Sequence, residues 1–424
     1  MKTAKHALMR NINTLTILNH LRTAGACTKR QIQGATGLSW GAVSNITAQL
    51  VENGLLVEAH PPSGSPGRSP VCLDFAPLRS LTAGVDINVN GLTAVLADLR
   101  CETVSILHAS LKSLDRGNVL EQLLDILHAL LDNAHLRPEW LLGIGVSMQG
   151  SVSRDGSLSI YSPFFVNWNN VPLREILQRE FSTVVHVMHD PNCMALAEQW
   201  IGAAKGIDDF ALVRLSTGIG LSCVSGGQLL MGTTGTAGEF GHLVVNPYGP
   251  ACSCGNRGCL EAYASRRGIL ARAEKGNFGE QPSRKAIFQP DSLADSEARL
   301  QDLAQRARAG DSSLQGLFTE AGFYLGVGIA NLVNLLNPAR IIIAGEMVSY
   351  RDLFWNEMLR VVQQSAWRFS PLDIVISSLP ASSPALGAAV YFIKRALSGE
   401  SSSLLPIGGN QNSSSAFSNT KYNN

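Results

Sequence analysis

The stretch Gly235-Thr-Ala-Gly-Glu-Phe-Gly-His-Leu-Val-Val-Asn-Pro-Tyr-Gly-Pro-Ala-Cys-Ser-Cys-Gly-Asn-Arg-Gly-Cys-Leu-Glu261 constrains the fold more than any other. Cys252, Cys254 and Cys259 follow a C-x-C-x4-C pattern, His242 stands ten residues upstream, and Gly255 and Gly258 allow tight turns between the thiols. Three soft thiolates and an imidazole so spaced are the donor set of a tetrahedral Zn2+ site, with sulfur about 2.3 Å from the metal. Buried small side chains or disulfides are the other reading of the same cysteines. Glu239 and Glu261 lie outside the four-ligand set, on the loop the metal would stiffen, where carboxylates suit the recognition of a neutral polar ligand.

At 424 residues the chain exceeds one ordinary core, so two or three folding units are expected. A hydrophobic content of 45% with 16% charged residues fits a soluble globular protein. The net charge of +1 conceals an asymmetry. Lys2, Lys5, Arg10, Arg22, Lys29, Arg30 and Arg68 face only Glu52 and Glu58 in the first 70 residues, so the remainder is acidic. A basic head on an acidic body is what a nucleic-acid module joined to a non-binding domain shows. No run of roughly 18 apolar residues occurs, and the first residues lack an apolar stretch with a cleavage site, so a cytoplasmic, nucleoid-associated protein without membrane insertion is expected. Cys27, Cys72, Cys101, Cys193 and Cys223 are scattered and read as reduced core thiols.

In the head, residues 1–75, Ile12, Leu15, Leu18 and Leu21 recur at helical spacing until Gly25. Thr28-Lys-Arg-Gln31 has the form of a capping box, and Ser39 caps a further helix whose Val43, Ile46 and Leu50 share one face. The turn at Thr36-Gly37-Leu38 between them makes a helix-turn-helix. Its second helix would offer Trp40, Ser44, Asn45 and Thr47 to base edges or phosphates, and Thr28, Lys29, Arg30 and Ser39 lie at the helix starts. Two short strands around a Gly/Pro-rich tip predict a wing, with Arg68 placed to meet backbone or minor groove. A three-helix dimerisation module with a linker is the alternative, and Trp40 also fits a packing role.

From residue 80 onward, apolar strands alternate with amphipathic helices. Leu81 to Ile87, Gly91 to Asp98, Cys101 to Ser110, Leu141 to Ser147, Val184 to Met188, Phe210 to Leu215 and Arg340 to Gly345 read as strands. That alternation predicts an α/β architecture with functional residues on loops at strand ends. Residues 275–298 read as a polar surface insertion, and 398–424, rich in Ser, Asn and Gly, as a disordered tail.

Asp86, His189-Asp190, Ser216-Thr-Gly-Ile-Gly220, Gly238-Glu-Phe-Gly-His242, the cysteine block through Glu261 and Ile341-Ile-Ile-Ala-Gly345 together resemble the ROK family of sugar kinases and sugar-responsive repressors. The likeness covers residues 80–397, and the head is similar to that of the repressor branch, which includes glucose and N-acetylglucosamine repressors. It implies a two-lobed actin-like ATPase fold with a hexose-sized cleft, one structural zinc ion per chain, and a homodimer or homotetramer. It also implies roles. Asp190 matches the general base of the kinases, His189 precedes it where kinases carry asparagine, and Glu239, His242 and Glu261 match residues that hold ring hydroxyls. Asn167 and Asn169 fall on the loop that closes over the sugar. Helix capping is the structural alternative for Asp190 and Glu261, and packing for Trp168.

The kinases of the family carry an Asp-x-Gly-Gly-Thr turn whose glycines let backbone amides reach phosphates. Here the turn reads Asp86-Ile-Asn-Val-Asn90, while Thr217-Gly-Ile-Gly220 and Gly345 persist. Phosphoryl transfer tolerates little misplacement, so the expectation is a sugar-responsive repressor that has kept its sugar site and lost its ATP site. Asp190 is then a vestigial base. The expected partners are a palindromic double-stranded DNA operator and a sugar or sugar phosphate inducer. The alternatives are an active sugar kinase with an added DNA-binding head, and a repressor controlled by a transport protein, as occurs in the family.

Overall fold

The computed structural model describes residues 2–59, 71–275, 290–370, 372–400 and 405. The head comprises α1 (Lys2–Ala24), β1 (Cys27–Thr28), α2 (Lys29–Thr36), α3 (Trp40–Glu52), β2 (Leu56–Ala59) and β3 (Cys72–Phe75). The capping box forms as its spacing dictates: Gln31 N donates to Thr28 Oγ1 at 3.2 Å, and Thr28 N donates to Gln31 Oε1 at 2.8 Å. Gly37 ends α2 in the left-handed region at φ 67°. β2 and β3 pair antiparallel as the wing, and β1 adds to the other edge of β3. Arg68 lies outside the described residues. On α1 the buried stripe is Ile17, Leu18 and Leu21, with Ile12 exposed, because the second half of this helix packs on two sides.

Two sheets of one design build the body. In the first lobe β4 (Leu81–Asn88), β5 (Gly91–Ala97) and β6 (Thr103–Ala109) form an antiparallel meander. After α4 (Arg116–Asn133), the strand β7 (Leu141–Met148) returns parallel to β4. The small strands β8 (Ser151–Val152), β9 (Ser159–Tyr161) and β10 (Asn169–Val171) form a flap, α5 (Leu173–Phe181) follows, and β11 (Val185–His189) joins β7 in parallel. The helix α6 (Asp190–Ile201) then leads to the second lobe.

There β12 (Phe210–Leu215), β13 (Ile219–Ser225) and β14 (Gln228–Leu229) repeat the meander. A helical layer of α7 (Leu260–Ala264), α8 (Arg266–Lys275), α9 (Pro290–Arg308) and α10 (Ser312–Leu336) precedes β15 (Arg340–Ala344), which is parallel to β12. After α11 (Trp355–Ser365), the strand β16 (Ile374–Ile376) is parallel to β15, and α12 (Ser383–Ser398) crosses back to the first lobe. Strand orders β11-β7-β4-β5-β6 and β16-β15-β12-β13-β14 are therefore equivalent, the two-lobed arrangement expected of an actin-like fold. The expected polar insertion is helical from Pro290, a residue suited to the first turn of a helix, and 276–289 lie outside the described residues.

α10 is long and apolar enough to cross a bilayer on composition alone, but it is a core helix. A Cβ at Gly322 would come 2.4 Å from the Phe354 carbonyl oxygen, so this helix lies flush against the start of α11. α12 is seated as closely on the first sheet, since a Cβ at Gly145 would meet the Ala388 carbonyl at 2.0 Å. The head does not stand apart. Ile17, Leu18, Leu21, Val43 and Leu50 share one apolar cluster with Cys193 and Leu196 of α6 and with Ala389, Ile393 and Leu397 of α12. Asn19 Nδ2 donates to the Leu397 carbonyl at 3.0 Å, and Arg100 pairs with Asp74 and donates to the Leu21 carbonyl at 3.3 Å. Of the tail beyond residue 400 only Leu405 is described, and it is buried in this cluster rather than free in solvent.

Candidate functional site

The loop between β14 and α7 folds into a knuckle by its own backbone. Cys252 N donates to Asn256 O at 2.7 Å, Gly258 N to Pro250 O at 2.7 Å, and Val245 N to Gly258 O at 2.9 Å. Gly258 has φ 67°, and a Cβ there would lie 1.5 Å from the Asn246 carbonyl oxygen, so only glycine fits. The result brings ligand atoms of His242, Cys252, Cys254 and Cys259 within 4.8 Å of one another. Cys254 Sγ and Cys259 Sγ are 3.7 Å apart, as are Cys252 Sγ and His242 Nδ1. A disulfide needs about 2.05 Å, whereas sulfurs each about 2.3 Å from a tetrahedral centre stand about 3.8 Å apart. The donor set therefore fits a metal ion, and every cysteine among the described residues is free.

His242 faces two ways. Its Nδ1 points to Cys252, and its Nε2 lies 4.0 Å from Glu239 Oε2 on the side of a cavity of about 620 Å³ between the lobes. That size suits a small polar ligand. Glu239, His242 and Glu261 come to it from the second lobe, and His189 and Asp190 from the β11–α6 junction. Glu261 is buried, accepts from Ile219 N at 3.3 Å, and pairs with Arg267, which also donates to Ser253 Oγ at 2.6 Å. Burial pushes the Glu239 carboxyl up, His242 opposes the shift, and Glu261 adds to it. Asp190 is buried and pairs with Arg214 of β12, while His189 Nε2 lies 3.3 Å from its other oxygen. Burial first and Arg214 second pull His189 down to about 4, so its ring is neutral at pH 7 and Arg214 is the charged partner of Asp190. Asp190 makes no side-chain cap to α6, whose N-cap is His189.

Two expected contacts fall elsewhere. Asn167, in a left-handed turn at φ 57°, and Asn169, paired with Tyr161 across β9 and β10, are exposed and do not line the cavity. The flap contributes Tyr161, Pro163, Phe164 and Val166 instead, and Trp168 is buried behind it with Nε1 donating to Ser159 Oγ at 2.8 Å. Among the lining residues that escaped the sequence reading are Gln149, Arg214 and Arg267. One signal for Arg214 was available, since it is a lone charge inside the apolar strand run that precedes Ser216-Thr-Gly-Ile-Gly220.

A second cavity of about 620 Å³ lies on the other side of Arg214, lined by Asp86, Asn88, Asn90, Gly345 and Glu346. Both carboxylate oxygens of Asp86 are already used, one by Ser147 Oγ and one by Asn88 Nδ2, each at 2.6 Å. Burial nevertheless pushes Asp86 up. Val89 is buried in the turn. Arg214 reaches to 4.0 Å from Glu346, and with its amide turned the Gln149 oxygen accepts from Arg214 at 3.1 and 3.3 Å.

On the head, Trp40 and Asn45 are exposed and Ser44 half-buried on α3. Thr47 is a correction: it is fully buried and its hydroxyl donates to the Val43 carbonyl at 2.8 Å, so it cannot meet DNA. Thr28 and Ser39 spend their hydroxyls on capping α2 and α3, leaving helix N-termini beside Lys29 and the exposed Arg30.

Duplicate sheets around a cleft, with a metal-ligand knuckle in its wall and a winged head on the first lobe, define an actin-like two-lobed scaffold fused to a helix-turn-helix. The ROK family model matches residues 82–395, and a winged helix-turn-helix DNA-binding model matches residues 10–57. The chain belongs to the ROK family. It is similar to the xylose repressor of Caldicellulosiruptor bescii, 29% identical over 397 residues that cover 93% of this chain and 98% of the relative. It is also similar to the DNA-binding transcriptional dual regulator NagC of Escherichia coli, 29% identical over 340 residues, 80% of this chain and 82% of the relative. The crystal structure of a ROK family transcriptional regulator described as a homologue of the E. coli MLC protein matches with a TM-score of 0.73 at 25% identity, covering 92% of this chain and 96% of that one.

Proposed function

We propose that the chain is a sugar-responsive transcriptional repressor whose kinase-like cleft senses rather than phosphorylates. The observation that carries this reading is the pairing of Asp190 with Arg214. A general base must accept a proton from the sugar hydroxyl, and a carboxylate bound to a permanent guanidinium is a poor acceptor. The occupied Asp86 and the valine in the phosphate turn remove the donor side as well. Similarity to relatives named xylose repressor and NagC supports a sugar inducer and control of carbohydrate uptake or metabolism.

The sugar would lie between His189 and Asp190 on one side and Glu239, His242 and Glu261 on the other. Zn2+ is the ion the four-donor set suits, and it would act as a cross-link that holds His242 in register with Glu239 and Glu261. On α3, Trp40, Ser44 and Asn45 would read a palindromic operator in the major groove, with Lys29 and Arg30 on phosphates, and a homodimer or homotetramer would present two heads. A cytoplasmic place beside the nucleoid follows from that role.

A thermal-shift screen of neutral, N-acetylated and phosphorylated sugars tests the reading. A sugar that stabilises the wild type but not Glu239→Ala is the expected result. Asp190-dependent turnover of ATP with any hexose would sink the sensor reading in favour of a kinase. A shift in DNA affinity given only by a purified sugar-transport protein, with every free sugar silent, would move the inducer from sugar to protein.

A further inference from the structure

α6 starts at the cleft and ends against the head. Its 12 residues span about 18 Å. At its start Asp190 is held by Arg214 from the second lobe, with the neighbouring His189 ring beside it. Its last turn carries Trp200, and the Arg22 guanidinium of α1 lies over that ring, 4.4 Å from its centroid. Arg22 has little else to hold it, since its Nε is buried without a hydrogen-bond partner. The middle of the helix is locked to α12: a Cβ at Gly387 would come 1.7 Å from the Cys193 carbonyl oxygen, so the two helices touch backbone to backbone and must move together. Glu198, also buried, accepts from Ala203 N at 2.6 Å and from Ser377 Oγ at 2.5 Å, which ties the end of α6 to the turn that follows it and to the end of β16. These contacts hold the middle and end of the helix as one unit with α12 and the turn beyond.

Resting on the sensor reading of Asp190, we infer that α6 conveys the state of the cleft to the DNA-binding head, and that Arg22 and Trp200 are the positioning residues through which the head receives it. A ligand hydroxyl that takes the Asp190 carboxylate must compete with Arg214. Releasing that clamp frees the first turn of α6, the rigid pair α6–α12 shifts, and α1 is re-seated through the Arg22–Trp200 stack. The stack couples because a cation over an indole face depends on the position of the ring.

Hydrogen exchange of the full-length protein, read by mass spectrometry over α1 from residue 10 to 24, tests this without any sugar. Asp190→Asn imitates loss of the clamp and is expected to raise exchange there by at least about fivefold, the lower end of ordinary coupling between sites. Arg214→Gln breaks the same clamp from the other lobe and should do likewise, which guards against a folding defect of one variant. In an Arg22→Met background, Asp190→Asn should change α1 exchange by less than about twofold. Trp200→Phe, which keeps a ring face for the guanidinium, should retain the coupling. A merely structural role for the stack predicts instead that the effects of Asp190→Asn and Arg22→Met multiply in full, and that result overturns the inference. So does faster exchange confined to the start of α6 with α1 unchanged. A sugar screen without a hit would remove the sensor reading and leave the exchange result untouched.

Discussion

Replacing Arg214 with methionine keeps an unbranched apolar stem and removes the guanidinium with its charge. The side chains of Arg214 and Asp190 are only 14% and 4% exposed, so the pair is buried rather than solvent-screened. Deleting one partner of such a pair costs about 3 to 5 kcal/mol, mostly because the other charge stays buried without compensation. Gln149, whose amide oxygen faces Arg214, loses its donor too, which adds about 1 kcal/mol. Urea unfolding at pH 7.5, followed by fluorescence, should therefore show a lower midpoint with an unchanged slope. Asp190→Asn in the same chain removes the stranded charge, so the double variant should regain most of the loss. The pH dependence has a definite sign. A lone buried carboxylate favours its protonated form, so the folded variant binds more protons than the unfolded chain, and its deficit should shrink as the pH falls. A deficit below about 1 kcal/mol for Arg214→Met, with no recovery in the double variant, would refute the view that this pair clamps the cleft.

Three further outcomes follow from the geometry. Cys254→Ser should reduce bound zinc, measured by plasma mass spectrometry, and abolish any sugar-induced thermal shift; an unchanged shift in metal-free protein would disconnect the knuckle from sensing. His189 is drawn from 6.5 to about 4, so between those values the unfolded chain binds the extra proton. Stability should rise with pH there by up to about 1.4 kcal/mol per unit from this residue, and His189→Gln should flatten that part of the curve. In the head, Asn45→Ala should weaken operator binding at unchanged melting temperature, whereas Thr47→Ala should lower the melting temperature by removing a buried side chain and its bond to Val43.

Features written in short-range spacing were legible before any coordinates. The capping box of Thr28 and Gln31 and the metal knuckle each depend on residues close in sequence, and each folds as its spacing dictates. Contacts set by tertiary placement were not. Thr47 reads as polar and hence exposed, yet it lies one turn beyond Val43, whose carbonyl satisfies its hydroxyl and allows burial. Asn167 and Asn169 are in the expected loop, but the turn at Asn167 and the pairing of Asn169 with Tyr161 direct the flap so that Phe164 and Val166 line the cavity. Arg214 and Asp190 are 24 positions apart in the chain, and only the meeting of β12 with the start of α6 brings them together.

The hydrogen bond from Asn88 to Asp86 sets how far this turn stands from a phosphate loop. A phosphate turn here would need the Asn88 amide removed, Val89 replaced by glycine, a threonine placed near Asn90 and Asp190 unclamped from Arg214. The last change leaves a buried charge unpaired. Turning this cleft to phosphoryl transfer is thus a redesign of two loops and a buried ion pair at once, out of reach of any single substitution.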